Sequence, residues 1–267
     1  MFKITNKQIL GKNVKRLDVK APLIASRIKP GQFVMLWIPG YDQKPFSIGN
    51  DTGKQFQLTV FKLGKSTNAL FDSTVGDRMG VSGPYGTFYT YKPKSHLITV
   101  GGGYGAAPLG YLVERAAKQH CTADFIVGAR TQFDLLFEKR AKKTGATVHV
   151  STDDGSKGFH GYNTVILEQV LSERQKKGKL KNTKVFACGP EIMQHKIAKM
   201  SALFTVECEI SLERYMKCGF GICGNCCVDD KGFTTCQQGP VVSGMQSLTV
   251  AEFGKYHRDK TGIRHNF

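Results

Sequence analysis

No apolar run in this sequence approaches the ~20 residues that a helix needs to cross a bilayer, so a helical membrane protein is not expected. No basic-then-apolar segment stands at its start, which argues against export and a disulfide framework. Low-complexity tracts are missing, and the seven histidines form no ligand-spaced cluster. Neither a catalytic triad nor a helix-turn-helix, zinc-finger or aromatic-basic RNA motif is present. Acidic residues are scarce, 21 against 38 Lys and Arg, for a formal net charge of +17. The excess is spread along the chain, with only short clusters at Arg174–Lys177 and Lys179–Lys184. That spread fits a negatively charged protein partner, anionic cofactors or the host cytoplasm better than nucleic acid. The expectation is a soluble, cytoplasmic protein of two domains with an appendage, a division that 267 residues allow.

The most informative feature that is present is Cys218-Gly-Phe-Gly-Ile-Cys223-Gly-Asn-Cys226, followed by Cys236. The C-x4-C-x2-C spacing with a fourth cysteine further on matches the ligand set of a plant-type [2Fe–2S] cluster. Four thiolates must converge from one bent loop, and Gly219, Gly221 and Gly224 permit the positive-φ turns this needs. A structural zinc site would prefer two short knuckles, of which one is present, and disulfides would need an oxidising compartment. Those two alternatives stay open on the residues alone. Cys227 is adjacent to Cys226 and is expected to point away, and Cys121, Cys188 and Cys208 read as small buried hydrophobes.

Residues 1–94 read as an antiparallel β-barrel. β-rich segments at Phe33–Ile38, Phe46–Ile48 and Phe56–Phe61 are punctuated by Pro30-Gly31, Pro39–Tyr41 and Asp51–Gly53. Residues 95–208 alternate strands (Leu97–Val100, Phe125–Val127, Thr147–Val150, Val185–Ala187) with helical stretches, the first running to about Lys118 and others near Leu135–Lys143 and Thr164–Lys176. That rhythm predicts a parallel sheet with helices on both faces. Residues 209–267 carry the cysteine loop and a tail too short and polar to be a domain of its own.

Between the first predicted strand and helix of the α/β region lies Gly101-Gly102-Gly103-Tyr104-Gly105-Ala106-Ala107-Pro108, where glycines could let a pyrophosphate approach a helix N-terminus. Glycines used only for packing are the competing reading, since Ala106 and Pro108 depart from G-x-G-x-x-G. In the barrel, Lys44-Pro45-Phe46-Ser47 offers a cation, an extended backbone and a hydroxyl suited to a flavin, or else an ordinary strand. Gly64-Lys65-Ser66-Thr67 suits a pyrophosphate or a simple N-cap, and Phe61 reads as core before ring-stacking surface. Cys188-Gly189-Pro190 follows a strand end, where ligands of open α/β sheets sit.

Taken together these motifs resemble the ferredoxin–NADP reductase superfamily, and more closely its dihydroorotate dehydrogenase electron-transfer subunits. Pro30-Gly31-Gln32-Phe33 and Lys44–Ser47 look like that family's flavin-barrel segments. Gly101–Pro108 and Cys188–Met193 look like its nicotinamide signatures, and Ser211–Cys218 through Gly239-Pro240 looks like its cluster loop. The resemblance implies FAD held by Lys44, Pro45, Phe46, Ser47, by Val60, Phe61, Lys62, and by Ser66 and Thr67. It implies a [2Fe–2S] cluster on Cys218, Cys223, Cys226 and Cys236. It implies NAD(H) against Gly101, Gly102, Gly103, Gly105, Cys188, Gly189 and Pro190. It further implies an FMN-containing dihydroorotate dehydrogenase catalytic subunit as partner in a hetero-oligomer, with no general acid or base supplied by this chain. The flavin sits between a two-electron and a one-electron carrier, so electrons from the partner would cross the cluster and FAD to NAD+. Subunits of cytoplasmic hydrogenases and sulfur reductases carry a similar set, and a cluster- or zinc-bearing regulatory protein without flavin is the reading from another class. Lys44 stands where the family commonly has Arg, which keeps the charge and loses the bidentate fork.

Overall fold

A computed structural model describes residues 1–267. Six antiparallel strands, β1 (Phe2–Gly11), β2 (Val14–Lys20), β3 (Phe33–Trp37), β4 (Lys44–Asp51), β5 (Gln55–Phe61) and β6 (Arg78–Tyr85), close into a barrel in the order β1-β2-β5-β4-β3-β6. Two short helices, α1 (Pro22–Ala25) and α2 (Lys65–Asp72), link them. Strand β5 shows why the barrel closes: Phe56, Leu58 and Val60 alternate inward and are wholly buried with Leu17, Val34 and Ile48. Each such side chain contributes roughly 2 kcal/mol of transfer free energy. Strand β1 escaped the sequence reading because its sequence, FKITNKQILG, is largely polar; Ile4 alone is fully buried.

One irregularity of the barrel positions the site. Strands β4 and β5 pair at Ile48↔Leu58, Asn50↔Gln57 and Asp51↔Phe56, and then separate. Lys44–Ser47 pair only with β3, and Val14–Arg16 of β2 are the partners of Thr59–Phe61. The facing backbone edges of Lys44–Ser47 and Thr59–Phe61 are therefore left without a ladder between them.

The second unit comprises β7 (His96–Gly102), a 3-10 turn (Gly103–Gly105), α3 (Ala106–Ala117), β8 (Thr122–Ala129), α4 (Glu138–Lys142), β9 (Thr147–Thr152), β10 (Phe159–His160), α5 (Asn163–Lys176), β11 (Thr183–Cys188), α6 (Glu191–Leu203) and β12 (Glu207–Ser211). After it come α7 (Thr235–Gln238), β13 (Val241–Ser243), α8 (Gly244–Leu248) and a small hairpin of β14 (Tyr256–Arg258) and β15 (Arg264–Asn266). The large sheet has the order β10-β9-β8-β7-β11-β12-β13, parallel except for the antiparallel β12–β13 pair. Helices cover both faces, as expected. Leu109, Leu112 and Val113 of α3 pack with Phe125 and Phe186, while Leu167 of α5 and Ile197 of α6 pack with Ile98 and Val185.

The expected helix near Leu135–Lys143 shortens to α4 because Leu135 is extended and Phe137 takes a left-handed φ of 67°. The tail's β13 joins the large sheet, and β12 runs through the expected boundary at 208/209. The two main units are bound together at named points. Tyr111 of α3 is buried in the barrel core, and its hydroxyl donates to the Asp51 carboxylate. The buried Tyr89 hydroxyl donates to the Ala187 carbonyl at 3.0 Å. No helix is long and apolar enough to cross a membrane.

Candidate functional site

The cysteine loop wraps onto the barrel. Phe33 and Met35 of β3 form one buried cluster with Met216, Cys226 and Cys236, and Tyr85 packs beside them. Gly219 (φ +83°) lies on Met35, where a Cβ would collide with that side chain. Gly221 (φ +89°) packs equally close to Gln237, whose amide Nε2 donates to the Phe220 carbonyl at 3.1 Å. These glycines are required by their φ and by the closeness of the loop to its neighbours.

Around the sulfurs the backbone is arranged for negative charge. Burial opposes ionisation of Cys218, but the N–H groups of Cys223, Phe220 and Ile222 outweigh it and hold the thiol down at about 6. Burial and the neighbouring Cys226 push the Cys236 thiol up to about 12, with the Gly221 N–H acting in the opposite sense. Cys226 and Cys236 are buried together against β3, while Cys218 is half-buried and Cys223 exposed on the same loop. No three ligand side chains converge as one metal ion would require. Four cysteines on one bent loop, with peptide N–H groups beside Cys218 and Cys236, have the chemistry needed by a two-iron cluster, which takes four thiolates. Cys227 is turned away, and its thiol donates to the Gly232 carbonyl at 3.0 Å. The short excursion from Cys226 to Cys236 turns through Asp230 (φ 61°) and Gly232 (φ 67°). Its Asp229 is held by the Arg258 guanidinium at 2.8 Å and the Tyr256 hydroxyl at 2.8 Å.

Strand β4 is the neighbour of β3 in the barrel, and its other edge borders the split between β4 and β5. Lys44, Pro45 and Phe46 are half-buried and Ser47 is exposed along one side of it. The Lys44 ammonium stands 3.7 Å from Asp42 and 4.9 Å from the centre of the Tyr215 ring, so it reaches toward the segment that leads into the cysteine loop. On the other side, Val60 points into the barrel core with no exposure and offers a ligand only its backbone. Phe61 does the reverse of its core reading: it is half-buried, outside the core, with its ring 5.8 Å from that of Tyr104. Lys62 is paired with Asp72 at 3.1 Å. Thr67 acts as a cap for α2, accepting the Leu63 and Gly64 N–H groups at 3.0 and 2.9 Å. The Ser66 hydroxyl and the first-turn N–H groups at that helix start remain available to an anion.

The glycine turn after β7 is built mainly by packing. A Cβ on Gly102 would lie 2.6 Å from Pro190 Cδ, and one on Gly105 would lie 2.5 Å from the Cys188 carbonyl carbon. Gly189 takes φ +146° against the Gly102 backbone. The structure thus brings Gly101–Gly105 and Cys188–Pro190 together across the β7–β11 pair, and Gly103 alone opens to free space. Tyr104 projects from this turn toward Phe61, and its hydroxyl donates to Glu213 at 3.2 Å. Burial and the Glu213 charge push the Cys188 thiol up to about 12, which keeps it neutral.

The sequence reading missed the group that locks these parts together. Arg214 is buried, with Nη1 donating to Glu191 at 2.5 Å and Nε donating to Glu252. Glu191 also accepts the Gly254 N–H at 3.0 Å, and Glu252 the Asp229 N–H at 3.1 Å. One guanidinium so joins the start of α6, the entry to the cysteine loop and the C-terminal tail. An arginine four residues before Cys218 carried a signal only in hindsight, since sequence spacing does not show burial.

Comparison with known proteins agrees with this division. Residues 1–90 match an oxidoreductase FAD-binding domain and residues 99–199 an oxidoreductase NAD-binding domain. Residues 213–246 match the iron-sulfur cluster binding domain of dihydroorotate dehydrogenase B. The chain is 42% identical over 235 residues to the probable dihydroorotate dehydrogenase B (NAD(+)), electron transfer subunit, of Methanocaldococcus jannaschii, covering 88% of this chain and 86% of that one. It is 37% identical to the protein of the same name from Pyrococcus furiosus, over 95% and 93% of the two chains. Among solved structures, a chain of the NADH-dependent reduced ferredoxin-NADP oxidoreductase superposes with a TM-score of 0.81 at 24% identity, over 92% of this chain and 88% of that one, a likeness of fold. By sequence and by its three matched regions, the chain belongs to the family of dihydroorotate dehydrogenase B electron transfer subunits, flavin-, NAD- and iron–sulfur-binding oxidoreductase proteins.

Proposed function

We propose that the chain passes electrons from the FMN of a dihydroorotate-oxidising catalytic subunit to NAD+ in the cytoplasm, as one component of a hetro-oligomeric enzyme of pyrimidine synthesis. The observation that carries this reading is the position of β3. Its Phe33 and Met35 floor the cysteine loop, while its neighbour β4 carries Lys44–Ser47 on the edge of the split barrel. Adjacent strands lie about 5 Å apart, so the residues that floor the cysteine loop and those that line the flavin edge are neighbours in the barrel wall.

The assignments follow from that arrangement. FAD, when bound, supplies hydride exchange with nicotinamide on one side and single-electron exchange with the cluster on the other. Lys44–Ser47 and the backbone of Val60–Lys62 line the split, with Ser66 and the start of α2 placed for the pyrophosphate. Thr67 supports that turn as a cap. Cys218, Cys223, Cys226 and Cys236 hold the cluster and keep its sulfurs in a field of peptide N–H groups. The Gly101–Gly105 and Cys188–Pro190 turns shape the nicotinamide edge, and Tyr104 spans from that edge to Phe61. Residues 1–94, 95–208 and 209–267 divide the work as flavin, nicotinamide and cluster regions, the last sharing its first strand with the second.

An anaerobic visible spectrum with iron, sulfide and zinc assays, followed by a pull-down from the host, tests this. The expected result is flavin, two irons and acid-labile sulfide per chain, with an FMN protein that oxidises dihydroorotate attached. Cys236→Ser should lose most of the iron, whereas Cys227→Ala should keep it. Zinc without flavin would sink the reading, and a hydrogenase or sulfur-reductase partner would replace its substrate.

A further inference from the structure

The basic clusters of the sequence, Arg174–Lys177 and Lys179–Lys184, play no part in the sites above, yet Arg174, Lys179 and Lys181 from them line one cavity with Lys94. Parallel strands β7, β8 and β11 all begin at the sheet edge opposite the Gly101–Gly105 and Cys188–Pro190 turns. At that edge lies a cavity of about 280 Å³ lined by nine residues, none of them apolar. Lys94, Arg174, Lys179 and Lys181 contribute four cations to it, with Ser95, Thr122 and Asn182 as neutral polar groups and no carboxylate. Of the acids nearby, Glu173 is paired with Lys177, Glu209 with Lys184, and Asp124 with His96 and His149; Asp124 and Glu173 also act on the Arg174 charge.

The cations sit on turns that are braced against one another. The His96 N–H donates to the Asn182 carbonyl at 2.9 Å, and the Asn182 amide donates to the Lys94 carbonyl at 3.1 Å. Lys94 itself is held at φ 59°, a left-handed conformation that lysine rarely adopts. Arg174 Nε donates to the Thr183 hydroxyl at 3.2 Å and Nη2 to the Lys179 carbonyl at 3.3 Å, which fixes the guanidinium plane. Two chain segments, one at Lys94 and one spanning Arg174 to Lys181, thus bring four cations to one cavity.

We propose that this cavity is a binding site for a small polyphosphate anion, either inorganic or the phosphate tail of a nucleotide. Four cations gathered from two segments suit the several charged oxygens of a polyphosphate better than a single carboxylate, and charge-assisted hydrogen bonds to phosphate are the strong ones. The lining has no apolar side chain, and its one ring, His96, is engaged through both nitrogens by Thr122 and Asp124, so recognition is directed at the phosphates. The site is separate from the proposed electron path and does not depend on it.

Calorimetric titration of the cofactor-loaded full chain with inorganic pyrophosphate at low ionic strength tests the proposal. Saturable binding at one site is expected, weakening as salt is added. Lys179→Gln with Lys181→Gln should weaken it about tenfold or more, the scale of a lost charge-assisted contact. Both side chains are exposed, so flavin content, iron content and NADH-driven dye reduction should not change. Tripolyphosphate and ATP should bind alike. Unchanged affinity in the double variant, competition with NADH, or a strong preference for ATP over tripolyphosphate would each overturn the assignment. Failure of pyrophosphate to bind at all, with binding of DNA or of acidic protein instead, would also overturn it.

Discussion

Asp124 shares its carboxylate between two imidazoles, His96 Nε2 at 2.8 Å on one oxygen and His149 Nε2 at 2.8 Å on the other. Burial opposes its ionisation, but the two hydrogen bonds prevail and hold its carboxyl well below its ordinary value of 3.8. A depressed folded-state value means that the stabilisation is complete above the unfolded value and is lost as pH falls below it. Unfolding followed by urea should therefore show a steep acid limb beginning near pH 4, and Asp124→Asn should flatten it by about 2 kcal/mol. An acid limb unchanged by the substitution would show that the carboxylate is not held in this way. At the same scale, Val60 and Phe61 show where reading a strand by type stops. Adjacent residues on β5 necessarily face opposite ways, and only the position of the barrel axis decides that Val60 is core and Phe61 is edge.

Among the elements, the glycine turn after β7 separates two uses of one residue type. Gly103 (φ +53°) faces open space, so Gly103→Ala bears only the left-handed penalty of roughly 1 kcal/mol. Gly105 has ordinary helical φ, but a methyl there meets the Cys188 carbonyl and the Gly189 nitrogen, so Gly105→Ala should destabilise by about 3 kcal/mol. Chemical denaturation of both variants checks the order, and equal losses would contradict the packing account. The glycine cluster was legible in the sequence as a strand-to-helix turn. Its neighbour Cys188–Pro190 was placed beside it by the family resemblance and not by local pattern, because it lies more than 80 residues away along the chain and is joined to the turn by the β7–β11 pairing. The split between β4 and β5 was equally hidden, since it depends on where a ladder stops.

At the scale of the molecule, Arg214 is the joint between the nicotinamide unit, the cysteine loop and the tail. Arg214→Met would leave Glu191 and Glu252 buried without their cation, and breaking such a group typically costs about 3–5 kcal/mol. The variant should melt earlier and lose iron more readily than flavin, measured by thermal unfolding with parallel absorbance of the two cofactors. Retention of both at the parental temperature would show that the joint lies elsewhere. The order of the three regions and the four-cysteine loop were readable directly, because each rests on a local pattern: β-rich rhythm, strand–helix alternation and C-x4-C-x2-C spacing; flavin and nicotinamide followed from the family resemblance of the motifs taken together. What the tertiary structure alone decided is how they meet. Strand β3 packs on the cysteine loop and pairs with the strand that carries the flavin edge, Arg214 is drawn into burial, and Lys94 is brought to one cavity with Arg174, Lys179 and Lys181. These are contacts between segments far apart in sequence, and no local pattern of residues encodes the distance between them.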